Sequence, residues 1–176
     1  VDCARFGTDK SVIVLWEGLH IKKIISIGKS AINELVDEIK KVQQQHAVSL
    51  KNIIVDSDGV GGGVQDYMRC RGFVNNSRPL KAENYQNLKT QCYYKLADLV
   101  NKAQIGIDCE DIHIKKCIIE EMEMVRSKNA DKDAKIQMQP KDTIKAILGR
   151  SPDYSDAIMM RMFYEIDSNF GKYFIQ

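Results

Sequence analysis

Three aspartates stand where a folded chain could bring them together. Asp2 lies in an extended N-terminal stretch, Asp56 closes a short apolar run, and Asp156 lies early in the last helical segment. Asp153 is three residues before Asp156 and shares its face of that helix. Clustered carboxylates repel one another unless cations neutralise them. An oxygen-only donor set suits Mg²⁺ or Mn²⁺, which retain water and bind phosphate oxygens. Two such ions about 4 Å apart can activate a water and stabilise the leaving oxygen of a phosphodiester. Taken singly, each Asp is explained as simply by a helix cap or a solvated surface charge.

The elements that must hold these acids can be read from the chain. Ile53, Ile54 and Val55 form a buried-strand pattern that ends on Asp56. Glycines follow at 59, 61, 62 and 63, and Val64, Tyr67 and Met68 then share a helical face. In an open α/β sheet, ligands are met at the carboxyl ends of strands, and glycine lets them approach closely. The run is not a dinucleotide fingerprint, because Val64 occupies the last glycine position. Nor is there an ATPase phosphate loop: Gly28-Lys29-Ser30 has the ending, but Lys23 stands where the first glycine belongs.

Residues 1–6, 11–16 and 21–27 read as three strands of an antiparallel meander. Ser30 is the expected cap of a helix whose Ile32, Leu35, Val36, Ile39 and Val42 face the sheet. A central strand at 52–56, parallel to the first, would set Asp2 beside Asp56. A helix at about 62–71, a fifth strand at 73–75 and a long helix at 82–102 follow. Next come a short extended piece at 105–107, a helix at 110–126, a polar turn at 127–135 and an edge strand at 136–139. A short helix runs from Pro140 to Gly149. Ser151 as cap and Pro152 at the first helical position then open a final helix to about 166.

A length of 176 residues fits a single domain with a sizeable core, and 44% hydrophobic with 28% charged residues is a globular composition. The net charge of +2 does not by itself argue for nucleic acid. Cys3, Cys70, Cys92, Cys109 and Cys117 form no C-x-x-C pair and are odd in number, which predicts reduced thiols in a cytosolic protein. No apolar run reaches membrane-spanning length and no signal peptide is evident. The chain opens in a strand-like segment without an initiator Met, as expected of a domain excised from a longer protein.

Four blocks occur in one order across nearly the whole chain: VDCARFGTDK at 1–10, VDSDGVGGGV at 55–64, NYQNLK at 84–89, and Lys141-Asp142 followed by GRSPDYSDA at 149–157. This arrangement resembles the nuclease domain of the large terminase subunit of tailed bacteriophages. The resemblance implies an α/β chain with a ribonuclease H-like mixed sheet and helices on both faces, spanning 1–176 as one domain without the family's upstream ATPase. It implies a metal-dependent DNA endonuclease that cuts concatemeric viral DNA during genome packaging in the cytoplasm of a bacterial host. Carried over by position, Asp2, Asp56 and Asp156 are the catalytic metal ligands and Asp153 a further ligand. Two Mg²⁺ or Mn²⁺ ions are the implied cofactors. Double-stranded DNA, the packaging ATPase domain, the portal and the small terminase subunit are the implied partners, with no membrane.

Asp58 is recommended only by its nearness to Asp56, and Asp9 is better explained as a turn residue beside Gly7. Lys89, Lys141, Lys145 and Arg150, with Lys81, could line a phosphate path if they converge near the acids. Tyr93 and Tyr94 could touch DNA, although aromatics on helices are more often core. His20, His46 and His113 have no ligand spacing. A Holliday-junction resolvase would use the same fold and metals, and a non-catalytic binding module would keep the fold with its acids as caps. A nucleotide-binding α/β protein is disfavoured by the failed glycine patterns.

Overall fold

The computed structural model describes residues 1–4, 9–128 and 134–167. Its elements in chain order begin β1 (Ser11–Glu17), β2 (His20–Ile27), α1 (Ile32–Gln45), β3 (Ile54–Asp56), α2 (Gly61–Met68) and β4 (Arg71–Phe73). They continue with α3 (Leu88–Asn101), β5 (Gly106–Ile107), α4 (Ile112–Met124), β6 (Ser127–Lys128), β7 (Gln137–Met138), α5 (Lys141–Leu148), α6 (Asp153–Met160) and α7 (Met162–Ile166). No helix among the described residues is long and apolar enough to cross a membrane.

β1 pairs antiparallel with β2, and β2 pairs parallel with β5. β3 pairs parallel with β4. The N-terminal residues join these two groups. Asp2 and Val12 exchange backbone hydrogen bonds of 2.9 and 3.0 Å, while the Asp56 N–H donates to the Val1 carbonyl at 2.9 Å. The Val1 amino group donates to the Ile54 carbonyl at 2.7 Å. Val1 is thereby bracketed by Ile54 and Asp56 in the parallel pattern, which sets Asp2 level with Asp56. The mixed order is β5, β2, β1, residues 1–2, β3, β4. Of the strand expected at 1–6, only this beginning is seen, since residues 5–8 lie outside the described ones.

Side chains alternate across the sheet, and in its central strands β1 and β3 both faces are covered. Val12, Ile54 and Phe73 pack with Leu96, Ile158 and Met162 in one cluster, built by α3, α4, α6 and α7. Their neighbours Ile13 and Val55 point the other way, to Leu35, Ile39 and Val64 of α1 and α2. Val12 and Val55 are fully buried. Burying an aliphatic side chain of this size contributes about 1.5–3 kcal/mol, so the two-sided packing holds the strands flat between helices. Asp2, paired across from Val12, and Asp56, two residues after Ile54, therefore face the α3–α6 side.

Several boundaries differ from the expected ones. The helix expected at 82–102 begins at Leu88, where the Asn87 side chain accepts from the Thr90 N–H at 2.9 Å. Lys81 and Ala82 have φ of 56° and 53°, incompatible with a continuing helix. Ser30 does not cap α1: the cap is Ala31, whose N–H is taken by Glu34 at 2.8 Å. Pro152 takes the cap position and α6 starts at Asp153, while the final helical segment breaks at Arg161 into α6 and α7. β4 lies at 71–73 instead of 73–75 because Arg71 aligns with Ile54. Part of the expected polar turn is β6, which pairs antiparallel with β7. The rest of that turn, 129–133, lies outside the described residues.

Candidate active site

The two strand acids arrive with different partners. The Asp56 carboxylate accepts from the Asp58 N–H at 3.0 Å and from Asn75 Nδ2 at 3.2 Å. Asn75 also donates through its backbone N–H and Nδ2 to Asp58 at 3.0 and 2.8 Å. Asp58 thus closes a brace between the ends of β3 and β4. Gly61, the first residue of α2, lies against the Asp56 backbone: a Cβ there would sit 1.4 Å from the Asp56 carbonyl oxygen. Only glycine allows this helix to begin so close beneath the strand end.

Asp2 is buried, and its carboxylate makes no hydrogen bond among the described residues. Burial and the neighbouring Asp156, Asp153 and Asp56 push its pKa well up, against the pull of Lys141. Burial raises the pKa of Asp56 and of Asp153 as well.

The other two acids come from the first turn of α6, where the helix dipole favours negative charge. Asp153 accepts from the Lys10 N–H at 2.9 Å. Asp156 accepts from the buried Tyr93 hydroxyl at 2.7 Å, with Lys89 Nζ at 2.7 Å and Lys141 Nζ at 3.0 Å. Burial pushes Asp156 up, but the two ammonium groups and the Tyr93 hydrogen bond overcome it and hold the pKa below the usual range. The Lys141 pKa is raised despite its own burial by Asp156, Asp2 and Asp153.

Behind α6, the Glu121 carboxylate accepts from the Ser155 N–H at 2.7 Å and pairs with the Arg150 guanidinium. Burial raises its pKa to about 7, opposed by the Ser155 N–H and Arg150.

The structure thus places Asp56, Asp153 and Asp156 near enough for Asp2 to feel their charges, and pairs Lys89 and Lys141 with Asp156. Lys145 instead meets Asp9 at 3.3 Å. Arg150 is turned to Glu121 and, at 3.4 Å, to Glu120. Tyr94 packs against Tyr85 with centroids 5.4 Å apart, and His20 bonds Asp108 at 2.7 Å. Asn75, Tyr93 and Glu121 are the site residues that sequence reasoning missed as positioners. In sequence Tyr93 reads only as a core or DNA-facing aromatic, and neither Asn75 nor Glu121 lies in a spacing that marks it.

Among the described residues, no group of three or more His, Cys, Asp or Glu side chains is placed so as to hold a metal ion. The all-oxygen chemistry of the four carboxylates, and the neighbouring negative charge that Asp2 feels, nevertheless suit a hard divalent cation. A cavity of about 650 Å³ between α1 and the sheet, lined by Ile13, Trp16, Ile39, Val42 and Tyr164, contains none of the four acids. It is not where this chemistry would occur.

No protein-family profile matches the chain, and no curated protein matches it. Solved structures do. The nuclease domain of the large terminase subunit gp2 of bacterial virus Sf6 superposes with a TM-score of 0.79 at 21% identity, covering 92% of this chain and 85% of that one. A mutant of the same domain, solved with manganese and beta-thujaplicinol, gives 0.79 at 20% identity over the same shares. The large terminase nuclease from thermophilic phage G20c gives 0.55 at 17% identity, covering 90% of this chain and 75% of that one. The chain has the ribonuclease H-like fold of these nuclease domains.

Proposed function

We propose that this protein is a divalent-metal-dependent DNA endonuclease and acts as the nuclease part of a large terminase subunit, cutting concatemeric viral DNA during packaging. The observation that carries the reading is that Asp2 and Asp56 stand level on adjacent strands, with Asp153 and Asp156 in the first turn of α6 near enough for Asp2 to feel all three charges. The solved Sf6 and G20c nuclease structures with manganese, cobalt or magnesium support the same chemistry for this chain.

Asp2 and Asp56 would hold Mg²⁺ or Mn²⁺ from the sheet, and Asp156 and Asp153 would hold it from α6. Bound there, two ions would lower the pKa of an attacking water and neutralise charge on the scissile phosphate. The chain's own work is to bring the carboxylates together, to fix Asp56 through Asn75, and to keep Asp156 ionised through Lys89, Lys141 and Tyr93. Lys89, Lys141 and Lys145 stand on or beside the cluster and would meet DNA phosphates as a substrate arrives. Arg150 belongs to the same region but is already committed to two glutamates.

Duplex DNA is the proposed substrate, and a packaging ATPase on the same polypeptide, the portal and the small terminase subunit are the proposed partners in the host cytoplasm. Incubation with supercoiled plasmid and with a four-way junction, in Mn²⁺, Mg²⁺ or EDTA, tests this. Metal-dependent plasmid cleavage without junction preference is expected. Symmetric junction resolution would favour a resolvase, and no Mn²⁺ binding at all would favour a binding module.

A further inference from the structure

Helix α6 must present Asp153 and Asp156 at a fixed rotation, yet its own start supplies no cap. Pro152, at the cap position, makes no side-chain hydrogen bond to the first turn. A helix leaves its first N–H groups unpaired, and burying one without a partner is costly. The Ser155 N–H, between the two aspartates, is taken by the carboxylate of Glu121 on α4, thirty-four residues away in sequence.

Glu121 is fully buried. Its second oxygen meets Arg150, which also donates to the carbonyls of Ser151 at 3.4 Å and Cys117 at 3.3 Å. The guanidinium therefore ties α4 to the residues entering α6. A buried ion pair is weak evidence for stability, because well-packed apolar residues often do as well. One that caps the turn bearing two site acids has a further use.

We infer that Glu121, held by Arg150, is a positioning residue of the active site, capping α6 from outside so that Asp153 and Asp156 meet Asp2 and Asp56 in metal-binding register. The inference rests on the metal-nuclease reading above. It also gives Arg150 a structural task in place of a phosphate contact.

Two variants test it, each read by Mn²⁺ titration and by cleavage kinetics. Glu121→Gln keeps an oxygen for the Ser155 N–H but turns an amide toward Arg150. Arg150→Met removes the guanidinium while keeping apolar bulk. Outer-shell changes around metal sites typically cost about 10–100-fold in metal affinity or activity. Both variants are expected to bind Mn²⁺ about tenfold more weakly and to lose kcat, with KM for DNA and its salt dependence as in the wild type. Wild-type Mn²⁺ affinity in both variants, whatever their melting temperatures, would overturn the inference. So would Arg150→Met with raised KM, a shallower salt slope and unchanged Mn²⁺ affinity, the signature of a lost phosphate contact. A wild-type protein that binds no Mn²⁺ would instead overturn the metal-nuclease reading, and this inference would fall with it.

Discussion

Asp2 and Asp156 are buried in the same cluster and are driven in opposite directions. Asp2 has no hydrogen-bond donor among the described residues and is pushed up by burial and three other carboxylates, whereas Asp156 is held ionised by Lys89, Lys141 and Tyr93. A divalent cation entering the cluster must displace protons from the raised group Asp2, and from Asp56 and Asp153 where they carry one. Mn²⁺ affinity should therefore rise with pH above the ordinary carboxylate range, and binding should release protons. Titration calorimetry in buffers of different ionisation enthalpy checks this, and an affinity flat across that range would contradict it. For metal-free stability the signs are opposed. The raised pKa values of Asp2, Asp56 and Asp153 contribute stability that is full below the unfolded carboxylate pKa and lost as pH rises through their folded values. The lowered pKa of Asp156 contributes stability above its unfolded value, lost as pH falls through the folded one. Tyr93→Phe should cost about 1–2 kcal/mol in urea unfolding, because the buried Asp156 and Ser155 side chains lose a hydroxyl partner. Acid type, strand end and helix start are what single out the four proposed ligands in sequence. Asn75, Glu121 and the hydroxyl role of Tyr93 are not singled out, because each acts across a fold contact of 19, 34 or 63 residues that no local spacing encodes.

The strand-to-helix step from β3 to α2 shows how tightly one element can constrain another. At Gly61 a Cβ would overlap the Asp56 carbonyl, which is backbone and cannot rotate away, whereas at Gly62 the nearest such atom is 3.6 Å off. Gly61→Ala should destabilise the protein by about 1–3 kcal/mol, as forced overpacking does, and should impair cleavage by displacing Asp56. Gly62→Ala should leave both nearly unchanged. Thermal unfolding and plasmid cleavage of the pair check this, and equal behaviour of the two variants would contradict it. Apolar runs and periodicity were enough to find β1, β2, α1 and β3 with small boundary errors. The start of α3 is not legible in sequence, because Lys81 and Ala82 are left-handed in a turn whose Leu80 is hydrogen-bonded in both directions to the Gln91 side chain, and the helix is capped only at Asn87. The β6–β7 pair was missed because two-residue strands carry no periodic signal.

Across the whole molecule, the central strands are covered on both faces and their acid-bearing ends lie against α2, α3 and α6. Phe73, 1% exposed in the cluster shared by β4 and α3, carries much of that packing. Phe73→Ala should cost about 3–5 kcal/mol, measurable as a lowered denaturant midpoint. The charge balance speaks to partners more than to fold. With a net charge of +2, and with Lys89, Lys141, Lys145 and Arg150 already paired to acids, this chain alone should bind duplex DNA weakly and with a shallow salt slope. Tight binding that collapses steeply with salt would contradict that expectation. The central claim is that the clustered aspartates bind the metal that cuts DNA, and the most direct measurement compares plasmid cleavage by the wild type and Asp56→Asn in Mn²⁺. The expected result is nicking and linearisation by the wild type, abolished by EDTA and absent from a variant that remains folded. Equal cleavage by Asp56→Asn would contradict the account.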